Sequence, residues 1–149
     1  MEYVETELTP AVLDTLLKMS ADWAGENSCR GYYPNGLSDI QGNRIFLALD
    51  GEKPVGYLLG HLCNAERDST VMKAGTPFFE VEELYIIPAC RSKGLGGALF
   101  RYAEKAVKPE AEFILLSTAT KNWKAIFHFY IEELDMEFWN ARLFKRIRE

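Results

Sequence analysis

Cysteine and histidine are scarce in this 149-residue chain. The three cysteines, Cys29, Cys63 and Cys90, are odd in number and far apart, with no Cys-x-x-Cys pair. Neither a disulfide framework nor a zinc site is expected from them, and no metal ligand set stands out. A reducing cytosol, hence a cytoplasmic location, is their natural setting. His61 and His128 are the only imidazoles. A lone histidine is more often a structural or surface residue than a catalyst, and neither has a partner in the sequence pattern. Long apolar runs are missing, as is a basic-then-apolar leader, so no membrane partner is expected. The phosphate loop Gly-x-x-x-x-Gly-Lys-[Ser/Thr] is absent. The dinucleotide fingerprint fails too, because after Gly94-Leu95-Gly96 the third glycine position holds Leu99. Cationic surplus is the last absence. Seventeen Lys and Arg face 22 Asp and Glu, a net charge of −5, which gives no grip on nucleic acid and suits a cationic substrate better.

What is present reads as one globular domain over 1–149, with 48% hydrophobic and 26% charged residues and no internal repeat or low-complexity tract. Tyr3 to Glu7 alternates as a first strand. Thr9-Pro10 supplies an N-cap and a first-turn proline for a helix to about Asp22. Residues 25–43 lose periodicity and carry five glycines and prolines among aromatic Trp23, Tyr32 and Tyr33; with a short helix at 37–41, this is expected to be a substrate-covering loop. Arg44 to Leu49 and Pro54 to Leu62 form a hairpin around Asp50-Gly51. Phe113 to Thr118 is a near-continuous apolar run that fits a buried parallel strand. Asn122 opens a helix with Trp123, Ile126, Phe127, Tyr130 and Leu134 on one face. Glu137 to Ile147 alternates like a strand or tight strand pair.

The most informative stretch is 80–108. Glu80-Val81-Glu82-Glu83-Leu84-Tyr85-Ile86-Ile87-Pro88 alternates as a strand closed by proline. Leu95, Ala98, Leu99, Tyr102 and Ala106 then make one helical stripe that ends before Pro109. Between them lies Arg91-Ser92-Lys93-Gly94-Leu95-Gly96-Gly97. Glycines allow close backbone approach, and a helix N-terminus adds free N–H groups and partial positive charge. Arg91 and Lys93 add full charges. These parts make a seat for a phosphate or pyrophosphate.

Arg91-x-x-Gly94-x-Gly96, directly after a strand, resembles the acetyl-coenzyme A loop of the GNAT superfamily of N-acetyltransferases, whose pattern is [Gln/Arg]-x-x-Gly-x-[Gly/Ala]. Leu84-Tyr85-Ile86-Ile87-Pro88 resembles the strand leading into it, and the element order resembles that fold over nearly the whole chain. The resemblance implies an α/β fold, a central mixed twisted sheet flanked by helices on both faces. It implies acetyl-coenzyme A as co-substrate, with backbone groups of Leu84, Tyr85 and Ile86 pairing to pantetheine. The loop Arg91, Ser92, Lys93, Gly94, Leu95, Gly96 and Gly97 would hold the pyrophosphate. Asn122 matches a family asparagine that contacts pantetheine; a plain helix N-cap is its other reading. The resemblance implies a small-molecule amine or a protein amino group as acceptor, and a homodimer is compatible with this family.

Transfer to an amine needs a neutral nucleophile, and deprotonating a lysine-like amine at pH 7 costs about 4–5 kcal/mol. A carboxylate in the cleft can take that proton. Glu80, Glu82 and Glu83 are the candidates. Alternation puts Glu80 and Glu82 on one face and Glu83 on the other. Glu82 stands two residues before Leu84, where many members of the family carry a base, and is favoured; a solvated acidic edge is the bland alternative. For the leaving thiolate, the family pattern Asn-x-x-Ala-x-x-Phe-Tyr meets Asn122 and Ala125, but Phe129 takes the tyrosine position and Tyr130 comes one later. A bulge of one residue in that helix would restore the aim of Tyr130 as the acid; otherwise it is core. Cys90 beside the loop lacks a cysteine–histidine motif, which argues against a covalent nucleophile. The rival to an enzyme is a non-catalytic acyl-coenzyme A sensor sharing the same loop.

Overall fold

The structure, a computed structural model, describes residues 1–148. Five strands form one sheet in the order β1-β2-β3-β4-β5: Glu2–Thr6, Arg44–Asp50, Lys53–Asn64, Pro77–Ile86 and Phe113–Leu116. The first four pair antiparallel, while β5 runs parallel to β4. Four α-helices accompany them, α1 (Pro10–Gly25), α2 (Leu37–Ile40), α3 (Leu95–Val107) and α4 (Trp123–Phe127).

The helices bury both faces of the sheet. On one face α3 lays Leu99, Phe100 and Ala103 against Phe46, Leu58 and Phe79. On the other, α1 packs Leu16 and Met19 against Ile45, Tyr57 and Tyr85. Helix α1 starts where its capping pair predicts, with Val12 N–H donating to Thr9 Oγ1 at 3.2 Å. Among the described residues no helix is long and apolar enough to cross a membrane.

Three expectations are corrected. First, β3 and β4 lose register between Leu59 and Gly60: Leu59 faces Glu83 but Gly60 faces Val81. Glu82 is therefore the extra residue of a β-bulge, and strict alternation fails there. Glu80, Glu82 and Glu83 all turn to the α1 side, instead of Glu83 facing away. Secondly, Trp123 to Leu134 do not share one face of a regular helix; the helix carries an irregularity of the kind that aiming Tyr130 required. Helix α4 ends at Phe127 and passes into a π-helical turn, His128–Glu133, in which Leu134 N–H reaches Phe129 O at 3.1 Å. Thirdly, residues 137–148 form no strand or strand pair. Alternation alone supplies no partner, and a strand without one cannot satisfy its backbone.

Candidate active site

Strand β4 borders two candidate sites, one along the open part of its β5-side edge and one on its α1 face. Its pairing with β5 covers only Phe78 to Val81, so from residue 82 to 86 its β5-side edge is open. That open edge leads through a 3-10 turn, Pro88–Cys90, into the loop before α3. Gly94 caps α3 with φ +80°, a left-handed conformation that glycine adopts without penalty. The N–H groups of residues 92–97 find no acceptor among the described residues. Six donors thus gather at the positive end of a 13-residue helix, an arrangement that fits an anion with several oxygens. Gly96 is held small by its neighbours, since a Cβ there would lie 3.4 Å from Phe129 Cζ and 3.7 Å from Ile86 Cγ1.

Arg91 does not offer its charge to that seat. Its guanidinium forks onto Glu26, Nη1 to Oε1 at 2.6 Å and Nη2 to Oε2 at 2.9 Å, and its Nε donates to Ile86 O at 2.8 Å. Tyr85 completes the clamp, donating to Glu26 Oε2 at 3.0 Å. The clamp ties the end of α1 to the end of β4 and so shapes the loop; Lys93 is left as its exposed cation. The Arg91 hydrogen bonds, with lesser help from Tyr85, lower the Glu26 pKa below its ordinary 4.5. Since the folded value is the depressed one, the clamp's contribution to stability is full above pH 4.5 and is lost as pH falls through the lowered value. Denaturant unfolding should therefore show Glu26→Gln less stable than wild type near neutrality, with the gap closing in acid. A gap that is constant with pH would contradict this.

On the α1 side, the aperiodic segment covers β4. Glu83 is surrounded by donors: Tyr57 Oη at 2.7 Å, Tyr32 Oη at 2.9 Å and Asn35 Nδ2 at 2.8 Å. Ser20, wholly buried, bonds Tyr32 Oη at 2.6 Å and accepts from Asn35 N–H at 2.8 Å. Burial, aided by the Glu83 charge, pushes the Tyr57 phenol well up, and burial pushes Tyr32 up to about 12. Both phenols therefore stay protonated and donate. Glu83 is the anchor of the covering loop, its carboxylate already accepting from three side chains.

Beside this anchor opens a polar cleft of about 530 Å³, walled by Asn35, Asp39 and Asn43 from the loop and by His61, Glu82 and Glu83 from the sheet. Glu82 Oε1 lies 3.4 Å from His61 Nδ1, which also faces Asn43 Oδ1 at 3.3 Å. Glu80 sits behind them, paired across the strands with His61. One of its carboxylate oxygens is buried without a partner, and burial raises its pKa. Among the described residues no cluster of His, Cys, Asp and Glu could hold a metal ion.

The sequence model of the Acetyltransferase (GNAT) family matches residues 13–135, most of the chain. The chain belongs to the GNAT acetyltransferase family.

Solved structures share the GNAT fold at low identity. A transcriptional regulator from Bacillus halodurans C-125 is 22% identical, with 98% of this chain and 100% of that one covered at a TM-score of 0.70. The aminoglycoside N-acetyltransferase AAC(6')-Iy, in complex with CoA, is 15% identical, with 99% of both chains covered and a TM-score of 0.66. The aminoglycoside 6'-N-acetyltransferase AAC(6')-IG from Acinetobacter haemolyticus is 16% identical over 100% of this chain and 99% of that one, at 0.68. No curated protein matches the sequence.

Within this GNAT chain the remaining site residues fall as follows. Asn122 precedes α4 but makes no side-chain cap, so its exposed amide is free for another partner. In the π-helical turn both Phe129 and Tyr130 face the α3 side, Tyr130 edge-on to Phe100 with centroids 6.2 Å apart. Burial pushes the Tyr130 phenol up to about 12. Its hydroxyl has no hydrogen-bond partner among the described residues, yet it is not among the fully enclosed polar atoms. Sequence reading passed over His61 as partnerless; Glu80 and Glu82 meet it only through the β3–β4 register, and Asn43 only through the β2–β3 pairing. Tyr57 was missed altogether, and the partners of Glu26, Tyr32 and Asn35 lie 48 to 65 residues away along the chain, beyond any spacing rule.

Proposed function

We propose that this protein transfers the acetyl group of acetyl-coenzyme A to a cationic amine by direct attack in a ternary complex. One observation carries the reading: the open edge of β4 runs into six free N–H groups, while the same strand's other side walls an acidic cleft. The residues fit the cofactor. Backbone groups of Leu84, Tyr85 and Ile86 would pair with pantetheine along the open edge, joined by Asn122. Residues Ser92, Lys93, Gly94, Leu95, Gly96 and Gly97 would hold the pyrophosphate, with Arg91 fixing the loop through Glu26. Bound there, acetyl-coenzyme A supplies an acyl group activated as a thioester.

The chain's own side chains do the rest. Asp39 and Glu82 attract an ammonium to the cleft. Glu82, the freest carboxylate on the wall, takes the proton that the nitrogen must lose before it can bond to the acyl carbon. A backbone N–H near Ile86 would donate to the carbonyl oxygen as charge develops on it. As the carbon–sulfur bond breaks, Tyr130 supports the leaving sulfur. A phenol held near 12 serves the thiolate better as a hydrogen-bond donor than by giving up its proton outright. Three free cysteines suit operation in the reducing cytosol.

The test is coenzyme A release from acetyl-coenzyme A with a panel of polyamines, aminoglycosides, amino acids and lysine peptides. Turnover confined to cationic amines, with a Michaelis constant that rises with ionic strength, is the expected result. Tight cofactor binding with no acceptor turned over would instead make the protein a sensor. Tyr130→Phe keeps the packing on Phe100 and should lower kcat about tenfold, the worth of one hydrogen bond to a charged group. A rate within a factor of two of wild type would leave Tyr130 to the core.

A further inference from the structure

The fold leaves Glu82 with little to hold it. It is the extra residue of the β4 bulge, so no residue of β3 stands opposite it. Gly60 lets the two strands stay close there, since a Cβ at that position would lie 2.6 Å from Glu80 O. Among the described residues one basic group pairs with the Glu82 carboxylate: His61, whose Nδ1 lies 3.4 Å from Oε1. Glu83, the next residue, accepts from three side chains. A carboxylate on a long, half-exposed side chain samples many rotamers unless a neighbour fixes it, and a base acts only from the right place.

The ring nitrogen that faces Glu82 carries a hydrogen, and Asn43 is the reason. The end of α2 orients the Asn43 amide, whose Nδ2 donates to Asp39 O at 2.9 Å and to Ile40 O at 3.3 Å. Reversing that amide would set an oxygen against two carbonyl oxygens. Asn43 Oδ1 is therefore the atom that meets His61 Nδ1 at 3.3 Å, and an oxygen there requires an N–H, not a lone pair, on the ring. Nδ1 bears this hydrogen whether the ring is neutral or protonated. The ring thus turns a polarised N–H edge to one amide oxygen and one carboxylate oxygen. Glu80 stands opposite His61 across the strands, with a buried carboxylate oxygen that lacks a partner, so the negative surroundings also favour a donor edge.

We propose that His61 is a positioning residue for Glu82: Asn43 sets its tautomer, and its Nδ1–H edge holds Oε1 so that Oε2 stays free for the proton of the bound ammonium. This role rests on the acetyl-transfer reading above. The proton passes from the amine nitrogen to Glu82, and the nitrogen keeps the electron pair with which it bonds to the acyl carbon. His61 neither gives nor takes a proton in that step. The contacts run from α2 through Asn43 and His61 to the base. The segment that covers the acceptor cleft therefore also fixes the group that deprotonates the acceptor.

His61→Ala should lower kcat about tenfold, the scale of one hydrogen bond to a charged group, with the acceptor's Michaelis constant nearly unchanged. Asparagine places an amide N–H where Nδ1 stands, whereas glutamine places it one bond farther out. His61→Asn should therefore recover most of the rate that His61→Ala loses, and His61→Gln little of it. In a Glu82→Gln background, His61→Ala should cost less than about twofold, because no base is left to position. Nitrogen-15 correlation spectra of the imidazoles read the tautomer without any substrate. The chain has two histidines, so loss of a signal in His61→Asn identifies His61. At a pH where the ring is neutral, hydrogen on Nδ1 and a bare Nε2 are expected. A bare Nδ1 would overturn the proposal, as would equal losses in the two backgrounds or a glutamine variant faster than the asparagine one. Wild-type protein that turns over no amine would remove the acetyl-transfer reading and this role with it. Turnover together with a bare Nδ1 would remove the role of His61 alone.

Discussion

Gly94→Val is expected to weaken acetyl-coenzyme A binding by about 100-fold or more, while lowering the melting temperature by only a few degrees. Gly94 holds φ +80° at the cap of α3, and a β-branched residue there costs about 1–3 kcal/mol. The cheapest relief is to rotate the adjoining peptide groups, which swings N–H groups of residues 92–97 away from a common point. Each hydrogen bond lost to a charged oxygen is worth about 1.5–3 kcal/mol, so two misplaced donors account for the fall in affinity. Stability suffers only the local strain, which for a domain of this size is about 2–4 °C per kcal/mol. Gly96→Val should weaken binding by a different route, because its side chain would press on Phe129 and Ile86. Calorimetric titration with acetyl-coenzyme A and a thermal melt on the same samples separate binding from folding. Cofactor affinity equal to wild type in both variants would move the pyrophosphate off this loop.

Glu82→Gln should lower kcat about 100-fold near pH 7, at the low end of what a positioned general base contributes. The deficit should shrink as pH approaches the acceptor's own pKa, about 10.4 for a lysine-like amine, since the nucleophile then arrives neutral. The neighbouring carboxylates predict different outcomes. Glu83 accepts from Tyr32, Tyr57 and Asn35, so Glu83→Gln should loosen the covering loop and raise the acceptor's Michaelis constant. Glu80 is raised in pKa by burial, which means its ionised form opposes folding once pH exceeds the ordinary carboxylate range. Glu80→Gln should therefore raise the melting temperature at pH 7 and spare kcat. A wild-type pH–rate profile for Glu82→Gln, with the loss appearing in Glu80→Gln instead, would transfer the role of base to Glu80.

Much of the strand–loop–helix unit was legible because its causes are local. Alternation through Leu84 and Ile86, glycines at 94 and 96, and the apolar stripe from Leu95 act within a few residues of chain. The boundaries moved slightly: β4 begins at Pro77 and β5 stops at Leu116. The polar cleft on the α1 side was far less legible. Glu83 and Asn35 meet across 48 residues, and Arg91 and Glu26 across 65; no spacing rule encodes such meetings. Arg91 is the instructive case. Its charge beside a glycine-rich loop pointed to phosphate, yet a carboxylate from the end of α1 holds it.

By itself the sequence determined the strand–loop–helix unit of residues 80–108, the capped start of α1 and the acidic character of β4, since backbone propensity and short-range pattern suffice for each. Only the tertiary structure decided which way the three glutamates point. One extra residue in β4 changes the face of a strand whose side chains repeat every two. Tertiary packing also decided where Phe129 and Tyr130 lie, because a π-helical turn shifts register only when neighbours reward it. It decided, finally, that residues 137–148 stay unpaired. A strand pattern states a need for a partner, and whether the fold supplies one depends on where the sheet's open edge is.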